Sequence, residues 1–544
     1  MTLEREAART RTNTTPPEVA LWQARLAGAV AAGVALGVTE LITGLGKGNQ
    51  SLVGSVGSLF IRESGGDVAR SAISVLGTAD KRTLLAGIVV VSLLLGAVLG
   101  AAARRRPWVA VAGFAAFGLV GVLATARDPL HSVALAVVAA VLGVTAGIAT
   151  LFTLLVVARN GRLLPPDPTT ARRPATPGAG QASRRAFIGW TVGAGALGIT
   201  LAYAGRSLRA RSSVEAAREK IRLVRPSNQL VPPGSPRAFT EPGVPSFPIE
   251  GLSPYVVPAG DFYRIDTALT VPQVDVATWK LSVTGMVDHP ITITFDDLQH
   301  MEQVEEAVTL SCVSNYVGGD LVGNAIWQGV PLRTLLDRAG VQSGASQVVG
   351  LSVDGFTVGF PTAVLDDGRT ALVAVGMNGA PLPVVHGYPA RLVVAGLYGY
   401  VSATKWLKEI HLTTLDAFDA YWVPLGWAKE APIKTQSRID VPKAEATLNT
   451  GPTPIAGVAW APDRGISKVE VQVDGGPWRR AELAHVLSKD TWCEWMLTWD
   501  ATPGSHTLRV RATDGTGQTQ TSRVTDPAPN GASGWHTVKV DVKS

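Results

Sequence analysis

At 544 residues the chain is too long for one hydrophobic core, so several units are expected. Its 46% hydrophobic and 17% charged residues exclude a wholly soluble protein, since soluble chains carry about 25% charge. A net charge of +6, with arginines gathered at the ends of apolar runs, excludes a nucleic-acid footprint; two cysteines exclude a disulfide framework.

Five apolar stretches approach the roughly 20 helical residues needed to span hydrocarbon. They cover residues 21–45, 84–103, 108–125, 132–157 and 187–204, and are rich in the glycine and alanine that let helices pack closely in lipid. Arg104, Arg105 and Arg106 lie between the second and third stretches. Arg159, Arg162, Arg172, Arg173, Arg184 and Arg185 lie between the fourth and fifth. The positive-inside rule then puts both loops and the amino terminus in the cytoplasm, and everything beyond residue 205 outside it. The stretch SRRAFI, residues 183–188, resembles a twin-arginine export signal. His131 is the lone histidine of this half, so no histidine pair is available for a transmembrane haem. Glu40 is the ionisable group within the first span.

Residues 206–257, rich in proline, arginine and serine, read as a linker. A globular α+β region is expected over 258–428. Within it WKLSVTGMV alternates as a strand, ITITFDDLQHM gives a helix entry at Thr294 and Asp297, and RLVVAGLYGY reads as a buried strand. Residues 429–544 carry short alternating strands and a DGG turn, the pattern of an immunoglobulin-like β-sandwich. The fold class expected is thus an α-helical membrane domain over 1–205, an α+β domain and a C-terminal sandwich.

The stretch TLSCVSNYVGG places Cys312 beside a glycine pair. A packed thiol is one reading. A nucleophile with His386 as base is another, though TLSC does not match the local cysteine-protease signatures. Zinc would need four gathered ligands. A single thiolate suits a redox-active metal whose remaining ligands come from an organic cofactor. Cys493, in an aromatic-rich strand, reads as a packed thiol.

The segments TLSCVSNYVGGDLVGNAIWQGVPLRTLLDRAG and MNGAPLPVVHGYPARLVVAGLYGYVSATKWLKEI resemble the sulfite oxidase family of molybdopterin-dependent oxidoreductases. The last hundred residues resemble that family's dimerisation domain, which implies a homodimer. The resemblance implies molybdenum held by the Cys312 thiolate and the dithiolene of one molybdopterin. It implies cofactor contacts at Phe262, Tyr263, Arg264, Ile265 and Asp266 in DFYRID, at His386 and Arg391 in HGYPAR, and at Ser402, Ala403, Thr404 and Lys405 in SATKW. Asp354 is a looser match. Arginine's fork and lysine's point charge suit the terminal phosphate.

The sequence departs from the family where substrate is met. Val375 stands in place of a tyrosine, Val384 and Val385 in place of an arginine and an aspartate, and Thr537 in place of an arginine. The resemblance therefore implies oxygen-atom transfer at molybdenum, by oxidation of a sulfite-like oxyanion or reduction of a sulfoxide, and the loop charges put that domain on the outer side of the cell membrane. With no haem expected, an external electron-transfer protein is the implied partner. The rival reading is a non-catalytic membrane receptor with a degenerate cofactor domain.

Overall fold

The computed structural model describes residues 19–46, 50–63, 80–128, 132–160, 179–211, 214–228, 230 and 246–543. Arg162, Arg172, Arg173, His131 and residues 231–245 of the expected linker lie outside them. The chain divides into two units, Met1–Ser213 and Val214–Ser544.

The first unit is helical: α1 (Leu21–Leu45), α2 (Leu52–Glu63), α3 (Asp80–Ala103), α4 (Pro107–Ala126), α5 (Val133–Asn160) and α6 (Ala179–Arg211). Five of these hold windows long and apolar enough to cross a membrane: Leu21–Leu45, Lys81–Ala103, Pro107–Ala126, Val133–Asn160 and Arg184–Arg209. Helix α2, shorter and apolar over Leu52–Ile61, is absent from the sequence reading.

Backbones approach closely along α1. A Cβ on Gly28 would lie 2.0 Å from the Gly96 carbonyl of α3, and one on Gly37 or Gly44 would lie 2.3 or 2.2 Å from the carbonyls of Gly198 or Gly205 of α6. Contacts near Gly33 and Glu40 pair in ascending order with Gly198 and Gly205, so α1 and α6 run parallel. Ala24 and Ala32 pair with Gly100 and Gly96, so α3 runs antiparallel to both. Glu40, 6% exposed, accepts from both terminal nitrogens of Arg209 at 3.2 Å, and Arg209 also donates to Thr43 at 3.0 Å. The Glu40 carboxylate thus lies in an ion pair between parallel helices.

The second unit opens with β1 (Lys280–Gly285), β2 (Ile291–Thr294), β3 (Val304–Ser311), β4 (Val322–Pro331), β5 (Gln347–Ser352), β6 (Thr357–Pro361), β7 (Ala371–Met377), β8 (Ala380–Pro381), β9 (Arg391–Val394) and β10 (Leu407–Thr413). One sheet runs β2-β1-β10-β5-β6; a second runs β3-β4-β7-β8, with β9 also on β7. Between β2 and β3, the helix Phe295–His300 is entered through a capping box: Thr294 Oγ1 accepts from Asp297 N, and the Asp297 carboxylate accepts from Thr294 N. Strands β4, β7 and β9 are buried almost throughout, as expected where both faces of a sheet are covered.

The sandwich follows: β11 (Gln436–Val441), β12 (Thr447–Leu448), β13 (Gly451–Trp460), β14 (Ile466–Val473), β15 (Arg479–Arg480), β16 (Glu482–Leu483), β17 (Cys493–Ala501), β18 (Gly504–Asp514) and β19 (His536–Val542). Its sheets are β11-β13-β17-β16 and β12-β19-β18-β14-β15. Inward residues alternate: Leu508, Val510 and Ala512 on β18 are fully buried, and Val538, Val540 and Val542 on β19 nearly so. Cys493 is buried and both cysteines are free, so no disulfide joins them.

The stretch read as a linker is not wholly free chain. Val224 N donates to Gln299, Leu230 N to Glu305, and Ser246 and Phe247 to Glu494. Its described parts therefore cover the sheets, with backbone groups satisfied by side chains distant in sequence.

Candidate active site

Cys312 follows directly on β3, at the start of the loop 312–321 that returns to β4. The loop closes on itself. Cys312 N donates to Leu321 O at 2.9 Å, Asn315 N to Cys312 O at 3.1 Å, and Leu321 N to the Asn315 side chain at 3.0 Å. The thiol is 9% exposed, and its Sγ lies 2.9 Å from Ser314 Oγ. Burial raises its pKa, while Ser314 and the charge of Lys405 pull in the opposite direction. Among the described residues no group of three or more His, Cys, Asp or Glu side chains could hold a metal, so a metal at Cys312 would need ligands from elsewhere.

Three of the sequence segments meet beside it. A Cβ on Gly387 would lie 3.1 Å from Arg391 Cβ and from Lys405, so HGYPAR and SATKW are in contact. A Cβ on Gly399 would lie 3.8 Å from Ser311 O and 3.9 Å from the Tyr263 hydroxyl, which joins DFYRID and the thiol-bearing strand. Phe262 stacks on Tyr263 with centroids 5.1 Å apart and meets the His386 and Trp327 rings edge-on. Desolvation, reinforced by the thiol, raises the pKa of Tyr263.

His386 Nε2 lies 2.8 Å from the Ala259 carbonyl and donates to it, which leaves Nδ1 as an acceptor. Burial, and then the charges of Arg391, Lys405 and Arg264, push its pKa down to about 4, so the ring is neutral at physiological pH. Arg391, 3% exposed, donates to the carbonyls of His386 (3.1 Å) and Leu392 (3.4 Å) and lies 4.8 Å over the Trp327 ring. Burial lowers its pKa to about 10. Lys405 Nζ lies 3.3 Å from Asp266 and from Val385 O, and burial lowers its pKa to about 8. Arg264 Nε donates to the same Asp266 carboxylate at 2.9 Å.

The remaining residues divide by what their side chains already do. The Ser402 hydroxyl donates to the carbonyls of Leu397 and Tyr398, and Thr404 donates to Gly350 O, so only their backbone could face a ligand. Ala403 has no polar side chain. Ile265 is 46% exposed. Asp354 accepts from Phe356 N at 3.1 Å within the β5–β6 turn, the role of a turn aspartate. Sequence reasoning singled out neither Trp327, whose face carries Arg391, nor Ser314 beside the thiol. Both lie in the segments that carried the resemblance, which was the available signal.

The departures have definite places. Val375 is fully buried on β7, Val384 is buried and Val385 half-buried. Thr537 is exposed on β19, its hydroxyl donating to Trp535 O.

The donor set fits an anionic, hydrogen-bonding cofactor with a sulfur-ligated metal. Arg264, Arg391 and Lys405 converge on a region where Asp266 is the one paired carboxylate among the described residues. Arg391, a buried cation, meets only carbonyl oxygens and an aromatic face among those contacts. Such a charge is costly without a counter-anion, and a cofactor phosphate would supply one.

A family model described as an oxidoreductase molybdopterin binding domain matches residues 268–422, and one described as a bacterial Ig domain matches residues 436–510. The uncharacterized oxidoreductase YuiH of Bacillus subtilis (strain 168) is 37% identical over 141 residues, 26% of this chain and 67% of that protein. The mitochondrial sulfite oxidase of Mus musculus is 29% identical over 293 residues, covering 46% of this chain and 52% of that one. The NADH nitrate reductase of Solanum lycopersicum is 27% identical over 319 residues, 47% of this chain and 35% of that one. The chain therefore spans about half of the first of these two longer relatives and about a third of the second.

Proposed function

Because the chain belongs to the sulfite oxidase family of molybdopterin oxidoreductases, we propose that it is a membrane-anchored enzyme transferring an oxygen atom at an extracytoplasmic site. Two electrons would pass to or from an external electron-transfer protein. The observation that carries this reading is the buried thiol of Cys312 beside the buried cations Arg391 and Lys405.

Bound there, a molybdenum–molybdopterin cofactor supplies two-electron oxygen-atom chemistry that no side chain can perform. The residues of the chain would bind and orient it. Cys312 would give the thiolate; in the chain itself burial favours its thiol form, while Ser314 and the charge of Lys405 favour the thiolate. Arg391 and Lys405 would take the phosphate, with Arg264 reaching the same anion across Asp266. His386, neutral and fixed by Ala259, keeps Nδ1 free to accept from a pterin N–H. The aromatic wall of Phe262, Tyr263 and Trp327 excludes water from the cationic side.

Val375 and Thr537 favour an uncharged oxide, such as a sulfoxide, over sulfite. A fully buried valine offers no donor, and Thr537 gives its hydroxyl to Trp535 O, just before its own strand. Each missing charge-assisted hydrogen bond removes about 1.5–3 kcal/mol of anion binding.

Membrane topology supports the location. With α1 and α6 parallel and α3 reversed, five spans would deliver residues beyond α6 to the side opposite Arg104, Arg105 and Arg106.

The test is molybdenum and released pterin per chain in the detergent-solubilised protein and in Cys312→Ser, followed by assays with sulfite and with sulfoxides. About one molybdenum per wild-type chain, loss of metal or of activity in the variant, and turnover of a sulfoxide are expected. A folded wild type from molybdenum-replete cells, empty of metal and pterin, would overturn the reading.

A further inference from the structure

The loop that carries Cys312 is gripped from the sandwich side by two contacts that the cofactor reading does not use. Gly318, at φ +79°, lies so close to the His536 imidazole that a Cβ there would come within 2.2 Å of Cδ2. Only glycine suits both that conformation and that approach. The ring is itself fixed. Ile439 N donates to its Nδ1 at 3.0 Å, so the neutral ring carries its proton on Nε2. Burial, and then the charge of Arg438, push its pKa down to about 4.

The next residue is gripped directly. Gly319 O accepts from an Arg438 terminal nitrogen at 2.8 Å. The guanidinium also donates through Nε to Asp440 at 2.6 Å and through its other terminal nitrogen to Ser253 Oγ at 2.8 Å. With all three nitrogens engaged, the fork cannot swing away. Arg438 and Ile439 are neighbours on β11, so one strand both holds the loop and orients the histidine that covers it.

Within the loop the link to the thiol is short. Asn315 donates its main-chain N–H to Cys312 O and accepts from Leu321 N, while Gly319 N donates to Tyr316 O. A shift at residues 318 and 319 therefore reaches Cys312 through two hydrogen bonds.

We propose that Arg438 and His536 are positioning residues that fix, through Gly318 and Gly319, the angle at which the β3–β4 loop presents Cys312 Sγ. This rests on the reading of Cys312 as the metal ligand. Neither residue is assigned a contact with cofactor or substrate; they act through the loop, where displacements of about 1 Å can cost a hundredfold in rate.

The experiment compares full-length, detergent-solubilised wild type with Arg438→Met, Arg438→Lys, His536→Ala and His536→Asn. Asparagine can place a carbonyl oxygen where Nδ1 accepted from Ile439, and lysine keeps the charge if the methionine variant fails to fold. The readouts are amide hydrogen exchange of the peptide spanning 312–321, metal and pterin content, and the g-values of the molybdenum(V) signal after partial reduction. About tenfold faster loop exchange is expected in His536→Ala and Arg438→Met, with shifted g-values and with His536→Asn closer to wild type on both. Unchanged exchange in both variants would overturn the proposal, as would a loosened loop with wild-type g-values. A wild type without molybdenum would instead remove the metal reading, and loop exchange alone would still decide whether the sandwich holds the loop.

Discussion

Arg391 combines two opposing energetic roles. Its guanidinium is 3% exposed and donates to two carbonyls, and burial has lowered its pKa to about 10, the mark of a cation held without full compensation. In the cofactor-free chain this charge is a liability, because a buried ion with incomplete partners destabilises the fold. If a cofactor phosphate sits beside it, as proposed, the same charge would become a binding determinant. Arg391→Met should therefore separate the two. Cofactor retention should fall about ten- to hundredfold, the equivalent of one or two charge-assisted hydrogen bonds, while the cofactor-free chain melts no lower than wild type. Pterin and molybdenum per chain after gel filtration, with thermal melts of the cofactor-free protein, check both halves. Retention of a full cofactor complement by the methionine variant would remove Arg391 from the phosphate site.

Strand β17 places Glu494 in a cross-sheet row with Val458 of β13 and Arg438 of β11. The carboxyl is fully buried; one oxygen accepts from Ser246 Oγ at 2.9 Å and Phe247 N at 3.1 Å, and Oε1 has no hydrogen-bond partner among the described residues. Burial, with the charge of Asp440 acting in the same direction, pushes its pKa up to about 7. The folded value exceeds the unfolded one, about 4.3. Its stabilising contribution is thus complete below the unfolded value and disappears as pH rises through about 7, a change on the order of 3 kcal/mol. Glu494→Gln should lack that slope. Urea unfolding followed by tryptophan fluorescence at pH 5 and pH 8 should show wild type losing stability relative to the variant; parallel curves would exclude the effect. This clasp also shows what the sequence could reveal at this scale. The apolar helices announced themselves by length, the Thr294 cap by its local spacing, and the cofactor segments by their motifs. The clasp and the β11 brace join residues about a hundred or more positions apart, through cross-strand register and loop placement. Helix α2 was missed because 12 residues are too few to read as a span, and the packing of 214–230 was hidden because a proline- and arginine-rich stretch looks like free chain.

For the molecule as a whole, we propose one arrangement across a bilayer from helix direction and charge distribution. Helix α1 runs parallel to α6 through the Gly37–Gly198 and Gly44–Gly205 approaches, and antiparallel to α3 through Gly28 and Gly96. Gly118 of α4 packs on Ala140 and Val144 of α5, and Gly147 of α5 packs on Phe114 of α4, so those two are also antiparallel. Among the described residues five helices are long and apolar enough to cross, and an odd number of alternating spans would carry the chain from one side to the other. The Arg104–Arg106 cluster at the α3–α4 turn would stay on the starting side, the cytoplasmic one by the positive-inside rule. In that arrangement the Glu40–Arg209 pair would lie toward the outer ends of α1 and α6, where the arginine could reach the interface while its carboxylate partner stays buried. In intact spheroplasts, added protease should therefore cleave in the region following α6 and release fragments of Val214–Ser544 without lysis, while a tag placed before α1 stays protected. Charge moved across the bundle should weaken that bias: replacing Arg104, Arg105 and Arg106 with alanine should yield a protected fraction of the second unit. Protection of the whole second unit in the wild type until lysis would place the catalytic domain in the cytoplasm. The electron partner would then have to be sought there.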